Sequence, residues 1–344
     1  MMKTKKLVAV ILSAILAMTS LVGCSTYERP APSPENPMTV QIGFENSLSE
    51  PIGQALVKWQ ELVEEKGDGS LKIELFPDSQ LGSKSELIDT MLIGEPVITL
   101  ADGAFYADYG VKDMGILFGP FLFDNWEQCW TLIESDWYKE QSSLLEEKGL
   151  KILASNWMYG DRHTLTTKKV EVPDDLKGLK IRVPGNEIQS IGFDTLGATS
   201  TGMDLGEVYQ SLQTKAIDGA ENPIATLYGR KLHEVAKYLL LDGHVKNFTT
   251  WVCSADFFNS LTKEQQDLLV STGEEAGLYN NGLQEDAEVE YLQQMKDEGV
   301  TVTDLTEETK EEFKKAAQPF YELEEKFGWS KGLYDTVRKA MGAE

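Results

Sequence analysis

Apolar and polar residues alternate in "TVQIGF" (Thr39–Phe44) and again in "LKIELF" (Leu71–Phe76), the period of two of a half-buried strand. Between them Ile52, Ala55, Leu56, Trp59, Leu62 and Val63 recur every three or four residues, which predicts an amphipathic helix. Ser49 or Glu50 stands at its cap, with Pro51 in the first turn and Gly67 and Gly69 at its end. A strand, a helix and a strand in that order call for parallel pairing. The order continues with a helix in "SKSELIDTMLIGE", a strand in "VITLAD" and one or two helices in residues 125–149. "LKILASNW", "RHTLTT" and "LKIRV" read as three strands, and residues 186–196 as a helix. "LGEVYQSLQTKA" reads as a further helix, "IDGAENP" as a turn, and "KYLLLD" and "TTWVCSADFF" as two strands. Residues 263–298 are almost unbroken helix formers, with Gly273, Gly277 and Gly282 as weak points. A short strand "VTVTDL" and a last helix from Glu307 complete the chain. Alternating strands and helices imply an α/β architecture, in which ligands bind beyond the carboxyl ends of strands. Arg182 lies at such an end, and Glu45 and Asp102 each follow a predicted strand directly.

The first residues carry a different pattern. "MMKTKK" is basic, "LVAVILSAILAMTS" is apolar, and "LVGC" follows. This is the layout of a secretory signal over residues 1–23, and its end resembles a lipobox with Cys24 as the lipidated residue. The apolar run is short for a membrane span. "STYERPAPSPENP" then holds four of the chain's 12 prolines, so residues 24–37 are expected to form an extended tether.

Composition narrows the chemistry. The 344 residues carry a formal charge of −24, which excludes the basic face that nucleic acid requires. The length suggests about two domains. Beyond Cys24 there are only Cys129 and Cys253, expected as buried free thiols. His163, His233 and His244 have no metal-ligand spacing, so no metal or cofactor is expected. There is no GxSxG, GxGxxG, HExxH or phosphate-binding loop. Only five residues are arginine, namely Arg29, Arg162, Arg182, Arg230 and Arg338. Arg182 stands out because it interrupts the apolar run Leu179, Ile181, Val183, where a buried arginine needs an anion. That anion is either an internal carboxylate or a ligand.

Three stretches, "DLKGLKIRVP", "GEVYQSLQTKAIDGAENPI" and "HEVAKYLLLDGH", together with "VKWQELVEEKGDGSLKIELFPDSQLGS", resemble the solute-binding component of TRAP transporters, the DctP family. The likeness runs from about residue 39 to about residue 330. It implies a two-lobed periplasmic-binding-protein-like fold with a long C-terminal helix crossing both lobes. Lobe I would comprise residues 38–159 and 248–287, and lobe II residues 160–247 and 288–344. It implies capture of a small organic acid outside the cytoplasm, delivery to a membrane permease, and no enzymatic activity. By resemblance, Arg182 clamps the ligand carboxylate, while Asn222 of "ENP" and Arg162 of "YGDRHT" assist. Glu45, Asp102, Trp157 and Leu205 are expected in the pocket wall by position. Leu205 stands where some relatives carry an aromatic ring. Two acidic residues at the site would disfavour a second ligand carboxylate and favour hydroxyls. A uronic or aldonic acid is therefore the expected ligand, with a C4-dicarboxylate as the alternative. A sensing lipoprotein and a secreted lyase or hydrolase are the remaining alternatives.

Overall fold

The computed structural model describes residues 31–343. The signal segment, Cys24 and the first part of the tether lie outside the described residues. The folded body begins at Pro32, earlier than an unpacked tether would allow. Pro32 is buried, and its carbonyl accepts a hydrogen bond of 2.8 Å from Gln265 Nε2, which also donates to Ser70 Oγ.

Nine strands form one mixed sheet. They are β1 (Met38–Gly43), β2 (Leu71–Phe76), β3 (Val97–Ala101), β4 (Leu150–Thr166), β5 (Lys180–Val183), β6 (Thr199–Gly202), β7 (Gly219–Pro223), β8 (Tyr238–Ser254) and β9 (Thr301–Asp304). Their order is β2-β1-β3-β8-β4-β7-β5-β6, with β9 on β8. The expected parallel unit is present in β1, β2 and β3. The sheet as a whole is not parallel, because β8 pairs antiparallel with both β3 and β4. "LKILASNW" and "RHTLTT" are not separate strands but the two ends of β4, and β8 likewise joins "KYLLLD" to "TTWVCS". Gly160 (φ +129°) interrupts the apolar alternation of β4, and register shifts flank it, so one strand reads as two. "GAENP", read as part of a turn, is the strand β7 with every residue buried. Burial between β4 and β5 outweighs the weak strand preference of Gly, Asn and Pro.

The pairing explains how the molecule divides. β8 holds β9 along Tyr238–Leu241 and β3 along Thr250–Cys253. β4 holds β7 only over Arg162–Thr166. Around Trp157–Asp161 and Lys246–Thr249 the sheet narrows to the crossing pair β4 and β8. Each half of the sheet hangs from one end of that pair, which gives the two-lobed fold.

The long helix Lys263–Asp297 spans both halves. It packs along helix Pro51–Lys66, β4 and helix Ile224–Gly229. Leu269 and Ala276 enter one hydrophobic cluster and Met295 another. Its two glycines at 273 and 277 are required by close approach. A Cβ at Gly273 would sit 2.8 Å from the Trp59 ring, and one at Gly277 would sit 2.7 Å from Trp157 Cδ1. The helix gains contact with a cluster of Trp59, Trp157 and Trp251 in exchange for weaker helix propensity. At the C-terminus, Leu333, Val337 and Met341 share a cluster with Cys129, Leu132 and Leu145. The last helix, Leu333–Ala340, therefore packs on helices Trp126–Glu134 and Asp136–Glu147. Cys129 and Cys253 are buried free thiols, as expected. No helix among the described residues is long and apolar enough to cross a membrane.

Candidate functional site

Where the sheet narrows, the carboxyl ends of β1, β3 and β5 face Tyr159 of β4 and Asn247 and Thr249 of β8. The side chains line a small, narrow cleft. Glu45, Asp102, Arg162, Arg182 and Asn222 all line it, so the structure brings together five of the expected site residues. Lys84, Tyr159, Gln189 and Asn247 line it as well and were not anticipated. Lys84 is the first residue of an amphipathic helix, Lys84–Leu92, and reads from sequence as an exposed N-terminal charge.

Trp157 and Leu205 are not in the wall. Trp157 is fully buried in the tryptophan cluster, where its Nε1 donates to Gly273 O at 2.9 Å. Leu205 is buried among Val208, Leu212 and Ile217. Both are apolar residues that found core partners.

The two arginines differ in kind. Arg162 is consumed by the protein. Its Nε and Nη2 grip the Glu221 carboxylate, Nη2 at 2.7 Å from Oε1, and Nη1 donates to Asn247 Oδ1 at 2.9 Å. Glu221 also accepts from His244 Nε2 at 3.2 Å, and His244 Nδ1 donates to Asp242 Oδ2 at 3.1 Å. Asp242 in turn accepts from Thr164 N and Oγ1. Burial disfavours every charge in this group. Asp242 and Glu221 nevertheless hold His244 protonated above its ordinary range, and Arg162 and His244 hold Glu221 below its own. His163 lies 3.8 Å from Asp242 as well, and although burial opposes its charge, Asp242 and Glu288 raise it to about 9, so Arg162, His244 and His163 face the carboxylates Glu221 and Asp242.

Arg182 is 2% exposed, and its only hydrogen bond among the described residues runs from Nε to Met203 O at 2.9 Å. It has no ion pair there. The other four N–H groups of its fork are unsatisfied by the protein. Burial lowers its pKa, with Glu45 and Glu221 opposing. The Asn222 carboxamide, 2% exposed in β7, likewise makes no hydrogen bond among the described residues.

The acidic residues are restrained. Lys84 Nζ lies 3.6 Å from Glu45 Oε1. Burial would raise the Glu45 carboxyl, but the charges of Lys84, Arg182 and Arg162 outweigh it and hold the group ionised. Asp102 caps helix Gly103–Asp108, its Oδ1 accepting from Ala104 N at 3.0 Å. Burial raises its pKa in spite of Lys84 and Arg162.

Behind Glu45, Glu50 is buried with Asn46, Tyr159 and Thr226. It accepts from Asn46 Nδ2 at 2.6 Å and from Ser47 N at 2.8 Å. Burial raises its carboxyl from 4.5 to about 7, against those hydrogen bonds and Arg230. A carboxyl raised by folding favours the native state most below the unfolded value. Its contribution is lost as pH climbs from about 4.5 to about 7, by about 3 kcal/mol. Glu50→Gln is therefore expected to melt higher relative to wild type as pH rises from 5 to 8. A melting difference that stays constant with pH contradicts this assignment.

The sequence matches the model of bacterial extracellular solute-binding protein family 7 (DctP) over residues 42–326. The 2,3-diketo-L-gulonate-binding periplasmic protein YiaO of Escherichia coli is 33% identical over 269 residues, 78% of this chain and 81% of the relative. The C4-dicarboxylate-binding periplasmic protein DctP of Rhodobacter capsulatus is 27% identical over 97% of this chain and 95% of its own length. A crystal structure of a TRAP periplasmic solute-binding protein from Ochrobacterium anthropi, with bound L-fuconate, superposes with a TM-score of 0.84 at 36% identity, covering 89% of this chain and 99% of that one. With its crossing strands, its spanning helix and a cleft cavity where the lobes meet, the chain belongs to bacterial extracellular solute-binding protein family 7, the DctP family, and is an extracytoplasmic solute-binding protein of TRAP transport, not an enzyme.

Proposed function

We propose that this chain captures a hydroxylated monocarboxylate, an aldonic or uronic acid, with its carboxylate on the free fork of Arg182. Asn222 supplies a further contact, and Glu45 with Asp102 accept ligand hydroxyls. The observation that carries the reading is the contrast between the two arginines: Arg162 is neutralised internally and Arg182 is not. Arg182 and Lys84 bring two positive charges to the wall and Glu45 one negative. Asp102, whose pKa is raised, adds at most one more. The cavity therefore has at most one net positive charge to balance a ligand carboxylate. A second carboxylate ~5 Å from Glu45 would be repelled by about 3 kcal/mol at an effective dielectric of about 20. This disfavours the C4-dicarboxylate reading, for which Arg162 would have to leave Glu221. The relatives that bind L-fuconate and 2,3-diketo-L-gulonate support the same class.

A charged bidentate contact contributes about 1.5–3 kcal/mol. Micromolar affinity needs about −8 kcal/mol. Arg182 is therefore one contributor among several, and closure of the lobes about the narrow β4–β8 section supplies further contacts. We place residues 38–159 and 248–287 in lobe I and residues 160–247 with 288–322 in lobe II, and the end of the chain with lobe I. We also propose that Cys24 is lipidated and holds the protein at the membrane beside its permease; Cys24→Ser should then move it from the membrane fraction to the soluble one.

A thermal-shift panel of sugar acids, C4-dicarboxylates, keto acids and amino acids tests the ligand class. A true ligand at a hundredfold excess over Kd adds about 2.7 kcal/mol, a shift of about 4 °C for a body of this size. Aldonates or uronates should give the largest shift. A larger shift from succinate or malate would replace the sugar-acid reading with the dicarboxylate one.

A further inference from the structure

One polar residue of the cavity wall has no partner to explain its burial. Gln189 lies in the first turn of helix Glu187–Thr195, where Asn186 Oδ1 accepts its backbone N–H at 2.9 Å. Its side chain is 3% exposed, and neither Oε1 nor Nε2 has a hydrogen-bond partner among the described residues. A buried carboxamide left unpaired destabilises a fold, so a purely structural role would be better served by an apolar side chain. Gln189 also borders a second small pocket, walled by Phe118, Pro120, Val183, Phe193 and Leu196 together with Glu221 and His244.

We propose that Gln189 is a specificity-determining residue that reads two neighbouring hydroxyls of the captured acid, Oε1 accepting from one and Nε2 donating to the other. This rests on the reading that Arg182 holds the ligand carboxylate. The chemistry of the amide selects the partner. A carboxylate could satisfy Nε2 but would face Oε1 with like partial charge. An ammonium could satisfy only Oε1, and a methylene chain neither. A pair of adjacent hydroxyls satisfies both at once, because each can donate or accept. Gln189 would thereby separate polyhydroxylated acids from plain short-chain acids that Arg182 alone would accept.

Gln189→Met, which keeps length and loses both polar atoms, tests this by titration calorimetry with L-galactonate. Two lost hydrogen bonds should raise Kd by about 5- to about 100-fold. The melting temperature without ligand should be unchanged or higher, because orphaned polar atoms have been removed; a merely structural glutamine would not behave so. Gln189→Leu should give the same pair of results if the methionine variant does not fold. A Kd equal to that of wild type overturns the proposal and leaves the Arg182 reading intact. A raised Kd together with a melting point lowered by several degrees also overturns it, since Gln189 would then support the fold. Failure of the Arg182 reading has a different signature: the unsubstituted protein would bind L-galactonate and its neutral amide equally well.

Discussion

Arg182→Ala should reduce affinity for a sugar acid by about 2–5 kcal/mol, a loss of about 30- to about 5000-fold, measured by titration calorimetry. The lower bound follows from deleting a charged bidentate contact, the upper from also leaving the ligand carboxylate buried without a counter-charge. The same substitution should leave the ligand-free protein as stable as before or slightly more so. Arg182 gives the fold one hydrogen bond, to Met203 O, and no ion pair among the described residues. Affinity lost with stability kept marks a residue held for a ligand. Stability lost with it would mean that Arg182 supports the protein instead.

Glu221→Gln should behave in the opposite way. Glu221 is fully enclosed with Arg162 and His244, and removing its charge leaves Asp242 as the nearest carboxylate to both His244 and His163 and takes from Arg162 its only ion-pair partner among the described residues. Breaking a buried pair from one side costs about 3–5 kcal/mol, which corresponds to a fall in melting temperature on the order of 10 °C for a chain of this size. A second consequence concerns selectivity. With Glu221 neutral, Arg162 becomes another unpaired guanidinium on the cavity wall. The affinity for succinate relative to L-galactonate should rise. An unchanged melting temperature, or an unchanged ratio in a variant that still folds, would contradict the placement of Arg162 in a closed internal pair.

The sequence made the site's main positions legible for definite reasons. Arg182 interrupts an apolar strand, a local conflict visible without a structure, which left an internal carboxylate and a ligand both open as its anion. Glu45 and Asp102 were legible because residues after parallel strands converge at one sheet edge. Arg162 also lines the wall, where it is paired internally. Its partner Glu221 is 59 residues away in β7, a strand read as a turn, and neither fact is written locally. Trp157 misled for a similar reason. Its flat face suggested a ligand contact, while the glycines that receive it lie 116 and 120 residues later on the spanning helix. Those glycines were noticed only as weak points. Spaced four apart on one helix face, they were a sign of close aromatic packing. The division of β4 into two strands failed at Gly160, where the register shifts that break the alternation also let the strand bend between lobes. Gln189 carried no signal at all, since a glutamine in the first turn of a helix is ordinary until both its polar atoms are seen to be buried.

All of this turns on whether Arg182 keeps its guanidinium for a captured carboxylate. Calorimetric titration of the wild-type protein with L-galactonate and with L-galactonamide, which carries the same hydroxyls without the charge, isolates that single contact. The acid should bind at least about 30-fold more tightly than the amide. Equal affinity for the two would contradict the assignment of Arg182 and with it the proposed mode of capture.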